Sequence, residues 1–255
     1  MSAALDMYLA SRSYSPASER QRRSILSRFE EECGPGPDVT ADGVLRWWVA
    51  QAELKPSSRR VVLIAARNYL DWLRKSGQRT DNPAELVRAP TVHTSPPKVL
   101  TRDQVCALRQ SIQGKAYRIL IVGLMLDMGL RIGEVARLRG EDLHEGVLRV
   151  HGKGGKEAQL PVAPTVAEVW PEVPGPIVNV CTDHLRAVVK DWFTEAGIQG
   201  HSPHSLRRTF ATEAVRRGVQ PHVLAAILRH ASVATSSHYV RVSLEDMAQA
   251  LLEAS

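Results

Sequence analysis

The sequence predicts a mainly α-helical protein with a small β-hairpin, laid out in two domains. Three observations carry that reading. Up to about position 90 the apolar residues recur at helical spacing and no strand pattern appears. Arg88 to Pro97 then breaks the pattern with a Pro- and Thr-rich stretch that has no periodicity, suited to an extended linker. Between residues 146 and 162 the period switches to alternation around Gly152-Lys153-Gly154-Gly155-Lys156, the mark of a hairpin with a glycine-rich turn.

The elements follow in order. Residues 3–31 read as one or two helices, with stripes at Leu5, Tyr8, Leu9 and at Ile25, Leu26, Phe29, parted by a cap and turn at Ser15-Pro16 and Ser18. The Gly- and Pro-rich run from Cys33 to Pro37 is a firm break. Thr40 suits the cap of a helix carrying Val44, Leu45, Trp48 and Val49. A longer helix starts at Pro56 with Val62, Leu63, Ala66, Tyr69, Leu70 and Leu73 inward, and stops at Gly77. The second domain opens near Leu100, where Thr101 and Gln104 have the spacing of a capping box. Lys115 to Met128 is apolar nearly all round, which places it at the centre of the core, and Gly129 ends or bends it. After the hairpin, helices resume beyond Thr182 and again beyond Ser202, and a last apolar stripe runs through Leu244, Met247, Ala248, Leu251 and Leu252.

Composition bounds the chemistry. The chain has 255 residues, a net charge of +6 and an ordinary balance of 44% hydrophobic and 24% charged residues. Residues 1–97 carry 14 Lys/Arg against 11 Asp/Glu, so about half of the surplus lies in each domain, as expected if both touch a polyanion. Cys33, Cys106 and Cys181 are few, odd in number and widely spaced, which suggests reduced thiols and neither a disulfide framework nor a zinc ribbon. The longest apolar run, Ile119 to Leu130, is broken by Asp127 and is shorter than the ~20 residues of a membrane span. With no signal-peptide pattern at the N-terminus, the expected location is the cytoplasm.

The chemistry concentrates between His204 and Tyr239. Two imidazoles (His204, His230), a guanidinium (Arg207) and a phenol (Tyr239) suit the holding of a phosphodiester while a tyrosine oxygen attacks phosphorus. His204 and Arg207 stand three apart behind Pro203, so on a helix they share a face near its positive end. Upstream, Arg131 sits in Gly129-Leu130-Arg131-Ile132-Gly133-Glu134, where Glu134 three positions on can orient the guanidinium. Lys153 on the glycine-rich turn can protonate a leaving oxygen, with Lys156 as its competitor. Each residue alone has a plainer reading: a surface Arg–Glu pair, a solvated turn lysine, a helix-terminal histidine, a packing tyrosine. A zinc site built on His201, His204 and His238 lacks any supporting cysteine or carboxylate cluster.

These motifs resemble those of the tyrosine recombinase (phage integrase) family. The resemblance rests on the arginine segment at Arg131, the turn lysine Lys153, the H-x-x-R of His204 to Arg207, then His230 with Tyr239 nine residues later. It extends to Ser57-Ser58-Arg59-Arg60, the stretch Tyr69 to Leu73 and Asn82-Pro83-Ala84, typical of the end of the family's helical domain. One departure is Arg229, which stands before His230 where the family usually has glycine. If that position takes positive φ, arginine there is strained; Arg229 can instead add a phosphate contact.

The resemblance implies a two-domain clamp on duplex DNA. Residues 1–90 would be the helical core-binding domain, 91–98 the linker, and 99–255 an α+β catalytic domain with a small three-stranded sheet. The implied activity is site-specific recombination through a 3′-phosphotyrosyl intermediate and a Holliday junction, without cofactor or metal. The catalytic set would be Arg131, Lys153, His204, Arg207, His230 and Tyr239. The implied partners are a double-stranded DNA recombination site, three further copies assembled on DNA through the C-terminal helix, and an accessory DNA-bending protein; the same helix packed on its own domain is the alternative. The expected setting is the nucleoid of a prokaryote or a phage-infected cell. Type IB topoisomerases and telomere resolvases share this chemistry, and Gln220 to Tyr239 also suits a non-catalytic helix-turn-helix protein.

Overall fold

Tyr69 anchors the first of two units, Met1–Ser95 and Pro96–Ser255, into which the chain divides. The computed structural model describes residues 2–92, 98–152, 157–229 and 244–254. The first unit contains α1 (Ala3–Ala10), α2 (Pro16–Cys33), α3 (Ala41–Ala50) and α4 (Pro56–Lys75). Local chemistry sets their starts. The side chains of Ser2, Ser15 and Thr40 each accept an N–H from the residue three further on, meeting donors that the first turn leaves unpaired. Leu5, Tyr8, Leu9, Leu26, Phe29, Leu63, Tyr69, Leu70 and Leu73 are buried together, as their spacing predicts. Within that core the Tyr69 hydroxyl donates to Glu30 Oε1 at 2.7 Å, so the one polar end of the ring is satisfied.

The face of α3 differs from expectation. Val44 and Trp47 are buried, while Leu45 and Val49 are exposed and Trp48 is half-buried. Trp47 meets Phe29 edge to face, with ring centroids 4.9 Å apart, and the burial of that large ring turns the helix away from the 44/45/48/49 stripe.

In the second unit the capping box forms as predicted. Thr101 N–H donates to Gln104 Oε1 at 3.0 Å and Gln104 N–H to Thr101 Oγ1 at 3.2 Å, which opens α5 (Arg102–Ile112). The all-round apolar segment is α6 (Ala116–Leu126), buried continuously from Leu120 to Leu126 at the centre of the core. Asp127, which interrupts the apolar run, is buried but paired: it accepts from Arg109 Nη2 at 2.6 Å and from Thr165 Oγ1 at 2.8 Å.

Then come α7 (Ile132–Val135) and an antiparallel sheet of β1 (Leu143–His144), β2 (Val147–His151) and β3 (Glu157–Pro161), in the order β1-β2-β3. Leu148 pairs with Leu160 and Val150 with Ala158. Leu148, Val150 and Leu160 face the core and Arg149 faces outward, the alternation seen in the sequence. The turn with Lys153 to Lys156 lies outside the described residues, as do positions 93–97 of the expected linker.

The helices α8 (Pro164–Ala167), α9 (Thr182–Glu195), α10 (Pro203–Arg216) and α11 (Pro221–Leu228) follow. A final helix, α12 (Leu244–Ala254), packs on its own domain. Ala250 and Leu251 are buried with Phe210, Ala214, Val223, Leu224 and Ile227 of α10 and α11, so in the single chain the stripe is covered by its own domain. The three cysteines are free. Among the described residues no helix is long and apolar enough to cross a membrane.

Candidate active site

A sharp reversal after α6 positions the first site residue. Gly129 takes φ 65°, and a Cβ there would fall 2.6 Å from Phe210 Cδ1 and 2.9 Å from Leu228 Cδ2. Both the dihedral and the close approach therefore require glycine. The chain leaves the reversal extended at Arg131, the N-cap of α7, and this aims Arg131 back over the start of that short helix. Glu134 fixes it there from both sides: Arg131 N–H donates to Oε2 at 2.7 Å and Arg131 Nη1 to Oε1 at 2.8 Å. The orienting role expected of Glu134 is thus present in the geometry.

His204 and Arg207 enter from the first turns of α10, which begins at Pro203 with Ser202 N–H donating to Ser205 Oγ at 3.3 Å. Arg207 is buried. Its Nη1 donates to the Gly129 carbonyl and its Nη2 to the Leu228 carbonyl, each at 2.5 Å, so it ties together the ends of α6 and α11. Its Nη1 also stands 4.0 Å from Glu134 Oε2.

Arg229 is the residue that the sequence only half disclosed. It adopts φ 53°, ψ 49°, the left-handed region, where a side chain costs about 1 kcal/mol relative to glycine. The strain inferred from the missing glycine is therefore real. Within the chain the side chain turns to protein groups. Arg229 Nη2 donates to Glu134 Oε2 at 2.6 Å and Nη1 to the Ile227 carbonyl at 2.8 Å. An ion pair across 95 positions leaves no local signal; the visible clue was the arginine at a glycine position.

Electrostatics follow from this arrangement. Arg131, Arg207 and Arg229 surround one carboxylate, Glu134, which leaves a local surplus of two positive charges. Burial pushes the Glu134 carboxyl upward, but Arg229 first and Arg131 next more than offset it, and the group stays below the usual carboxylate range. Arg207 is pushed down to about 10 by burial and by Arg131 and Arg229, yet remains charged at neutral pH. Partial burial and the neighbouring Arg208, Arg207 and Arg131 hold His204 below the usual histidine range. A neutral imidazole beside two guanidinium groups can take up a proton while the arginines hold an anion.

The structure thus brings Arg131, His204 and Arg207 into one electrostatic neighbourhood. Lys153, His230 and Tyr239 lie outside the described residues. Among the described residues no three His, Cys, Asp or Glu side chains group as metal ligands.

A cluster of arginines with a neighbouring histidine on this helical scaffold suits the binding of a phosphodiester, and comparison with known proteins gives the family. The phage integrase family model matches residues 98–174 and 177–245. The chain is similar to tyrosine recombinase XerD of Vibrio cholerae, 30% identical over 79% of this chain and 76% of that protein. It is likewise similar to XerD of Xanthomonas axonopodis pv. citri, 30% identical over 90% and 88% of the two chains. In fold it resembles a lambda integrase tetramer bound to a Holliday junction, with a TM-score of 0.73 at 16% identity, covering 95% and 80% of the chains. The chain belongs to the phage integrase family and is a tyrosine-type site-specific recombinase. The topoisomerase, telomere-resolvase and helix-turn-helix readings find no support among these relatives.

Proposed function

We propose that the chain cuts and rejoins duplex DNA at a recombination site through Tyr239. The Tyr239 oxygen forms a bond to the scissile phosphorus, the bond to the 5′ oxygen breaks, and a 3′-phosphotyrosyl link results. Arg131 and Arg207 hold the non-bridging oxygens, where charge builds in the transition state. His204 accepts the tyrosine proton, a role open to it because burial and the arginines keep its imidazole unprotonated. His230 donates to the phosphate, and Lys153 gives a proton to the departing 5′ oxygen. A 5′ hydroxyl from a partner duplex then attacks the phosphotyrosine, so one phosphodiester replaces another and no nucleotide or metal cofactor is consumed.

Residues 1–90 serve as the core-binding domain, 91–98 as the linker and 99–255 as the catalytic domain. Four copies assembled on DNA pass through a Holliday junction, with α12 released from its own domain to reach a neighbour. The structural neighbour is described as a tetramer on such a junction, which supports this assembly. The expected setting is the cytoplasm, at the nucleoid, with an accessory DNA-bending protein as a further partner.

One observation carries the catalytic reading: Arg131 and Arg207, 76 positions apart, converge on Glu134 beside His204. The test is a nicked suicide duplex, which traps the covalent intermediate because the cleaved strand diffuses away. Wild type is expected to form a denaturation-resistant protein–DNA adduct, and Tyr239→Phe to form none. A wild type that leaves no adduct, or a phenylalanine variant that still does, removes the proposed mechanism.

A further inference from the structure

We propose that Arg229 is a positioning residue for this site: it clamps Glu134 in its ionised form, and through Glu134 it holds Arg131 in place. The inference rests on the recombinase chemistry proposed above. Its first support is the backbone. Arg229 occupies a left-handed conformation that glycine adopts freely, so a side chain is retained there against a conformational cost. The second is where that side chain goes. Only 11% of it is exposed, against 43% for Arg131, and two of its nitrogens are engaged by Glu134 Oε2 and the Ile227 carbonyl. Both terminal nitrogens are thus committed to groups of the protein itself. Its Nε is buried without a partner, so the guanidinium is held by the two terminal nitrogens alone.

The third support is what Glu134 needs. Its side chain is 4% exposed, and the charged groups facing it among the described residues are Arg131 at the N-cap of α7, Arg207 on α10 and Arg229 at the end of α11. Arg207 stands at 4.0 Å and spends two donors on carbonyls, so Arg229 supplies the close compensating charge from outside α7. A protonated Glu134 would lose its charge and turn one oxygen into a donor among partners that all donate, so its hold on Arg131 would weaken. His230 follows Arg229 directly in the sequence, so the same clamp fixes the point from which the chain proceeds to that proposed donor.

Removing Arg229 removes the largest charge effect that holds Glu134 ionised. The sign follows: Glu134 then takes up its proton at higher pH, and the acidic limb of the cleavage profile moves upward. Arg229→Gly relaxes the backbone while deleting the clamp, so loss of folding is not built into the variant. On the suicide duplex it is expected to lose at least about tenfold in cleavage rate near pH ~5.5 but under about threefold near pH ~8, with Arg229→Lys restoring part of the loss. A second arm needs no DNA: the ¹³C titration of the Glu134 carboxyl should have a higher midpoint in Arg229→Gly than in wild type.

Coincident pH profiles and coincident Glu134 midpoints in the two proteins would overturn the proposal. So would an unchanged Glu134 titration combined with weaker DNA binding of shallower salt dependence, the signature of a lost phosphate contact. If wild type forms no adduct, the recombinase mechanism fails, while the titration still decides whether Arg229 governs Glu134.

Discussion

Arg131 keeps 43% of its side chain exposed, whereas Arg207 keeps 4% and bonds two carbonyls from different helices. The same truncation should therefore do different things at the two positions. Arg131→Ala gives up a half-exposed ion pair, and Glu134 retains the backbone N–H and Arg229, so the loss in stability is expected to be about 1 kcal/mol or less. Arg207→Ala strands the Gly129 and Leu228 carbonyls in the interior; charge-assisted bonds of this kind are worth ~1.5–3 kcal/mol each, so a loss of about 3 kcal/mol or more is expected. Both variants should lose roughly 100-fold or more in suicide-duplex cleavage, since each removes a donor proposed to meet the charge developing on the phosphate. Urea unfolding beside the cleavage assay separates the effects. Equal destabilisation by the two truncations would mean that Arg131 is a structural residue like Arg207, and its assignment as the exposed phosphate donor would fall.

At the scale of elements, α12 shows what a sequence stripe can and cannot say. Leu244, Met247, Ala248, Leu251 and Leu252 mark an apolar helix face, but the face is the same whether it is covered by its own domain or by a neighbour. The structure seats Leu251 against α10 and α11. Leu251→Ala is thus expected to destabilise the second unit by about 2–5 kcal/mol, with a urea midpoint independent of protein concentration in the absence of DNA. A midpoint that rises with concentration would mean docking between copies, since association stabilises by mass action.

The other elements divide along the same physical line. Caps at Ser15, Thr40 and Thr101 were legible because they depend on residues three apart. The β2–β3 pair was legible because alternation over five residues repeats. β1 has two residues, too few for any period, and the buried face of α3 is set by the remote ring of Phe29. In the site, Glu134 under Arg131 could be read from a helical step, but the Arg229–Glu134 pair joins α11 to α7 and needed coordinates.

For the whole molecule, the arrangement of cores makes a claim about cooperativity. The core of the first unit draws on residues from Ala4 to Val87, and the clusters of the second on residues from Leu100 to Leu251, with no member shared. A unit with its own buried core can unfold as its own cooperative step. Leu70 and Leu124 are both fully buried, one in each core. Truncating such a leucine costs ~2–5 kcal/mol, and in a unit of about 95 residues each kcal/mol moves the midpoint by ~4–8 °C. Calorimetry of the intact chain should therefore resolve two transitions. Leu70→Ala is expected to lower one of them by about 10 °C or more and leave the other within about 1 °C, and Leu124→Ala to do the reverse with a smaller shift, as the larger unit has the greater unfolding entropy. If either substitution moves both transitions together, or the chain melts in one step that both lower equally, the two cores are thermodynamically one, and the proposed separation into a core-binding and a catalytic domain loses its energetic basis.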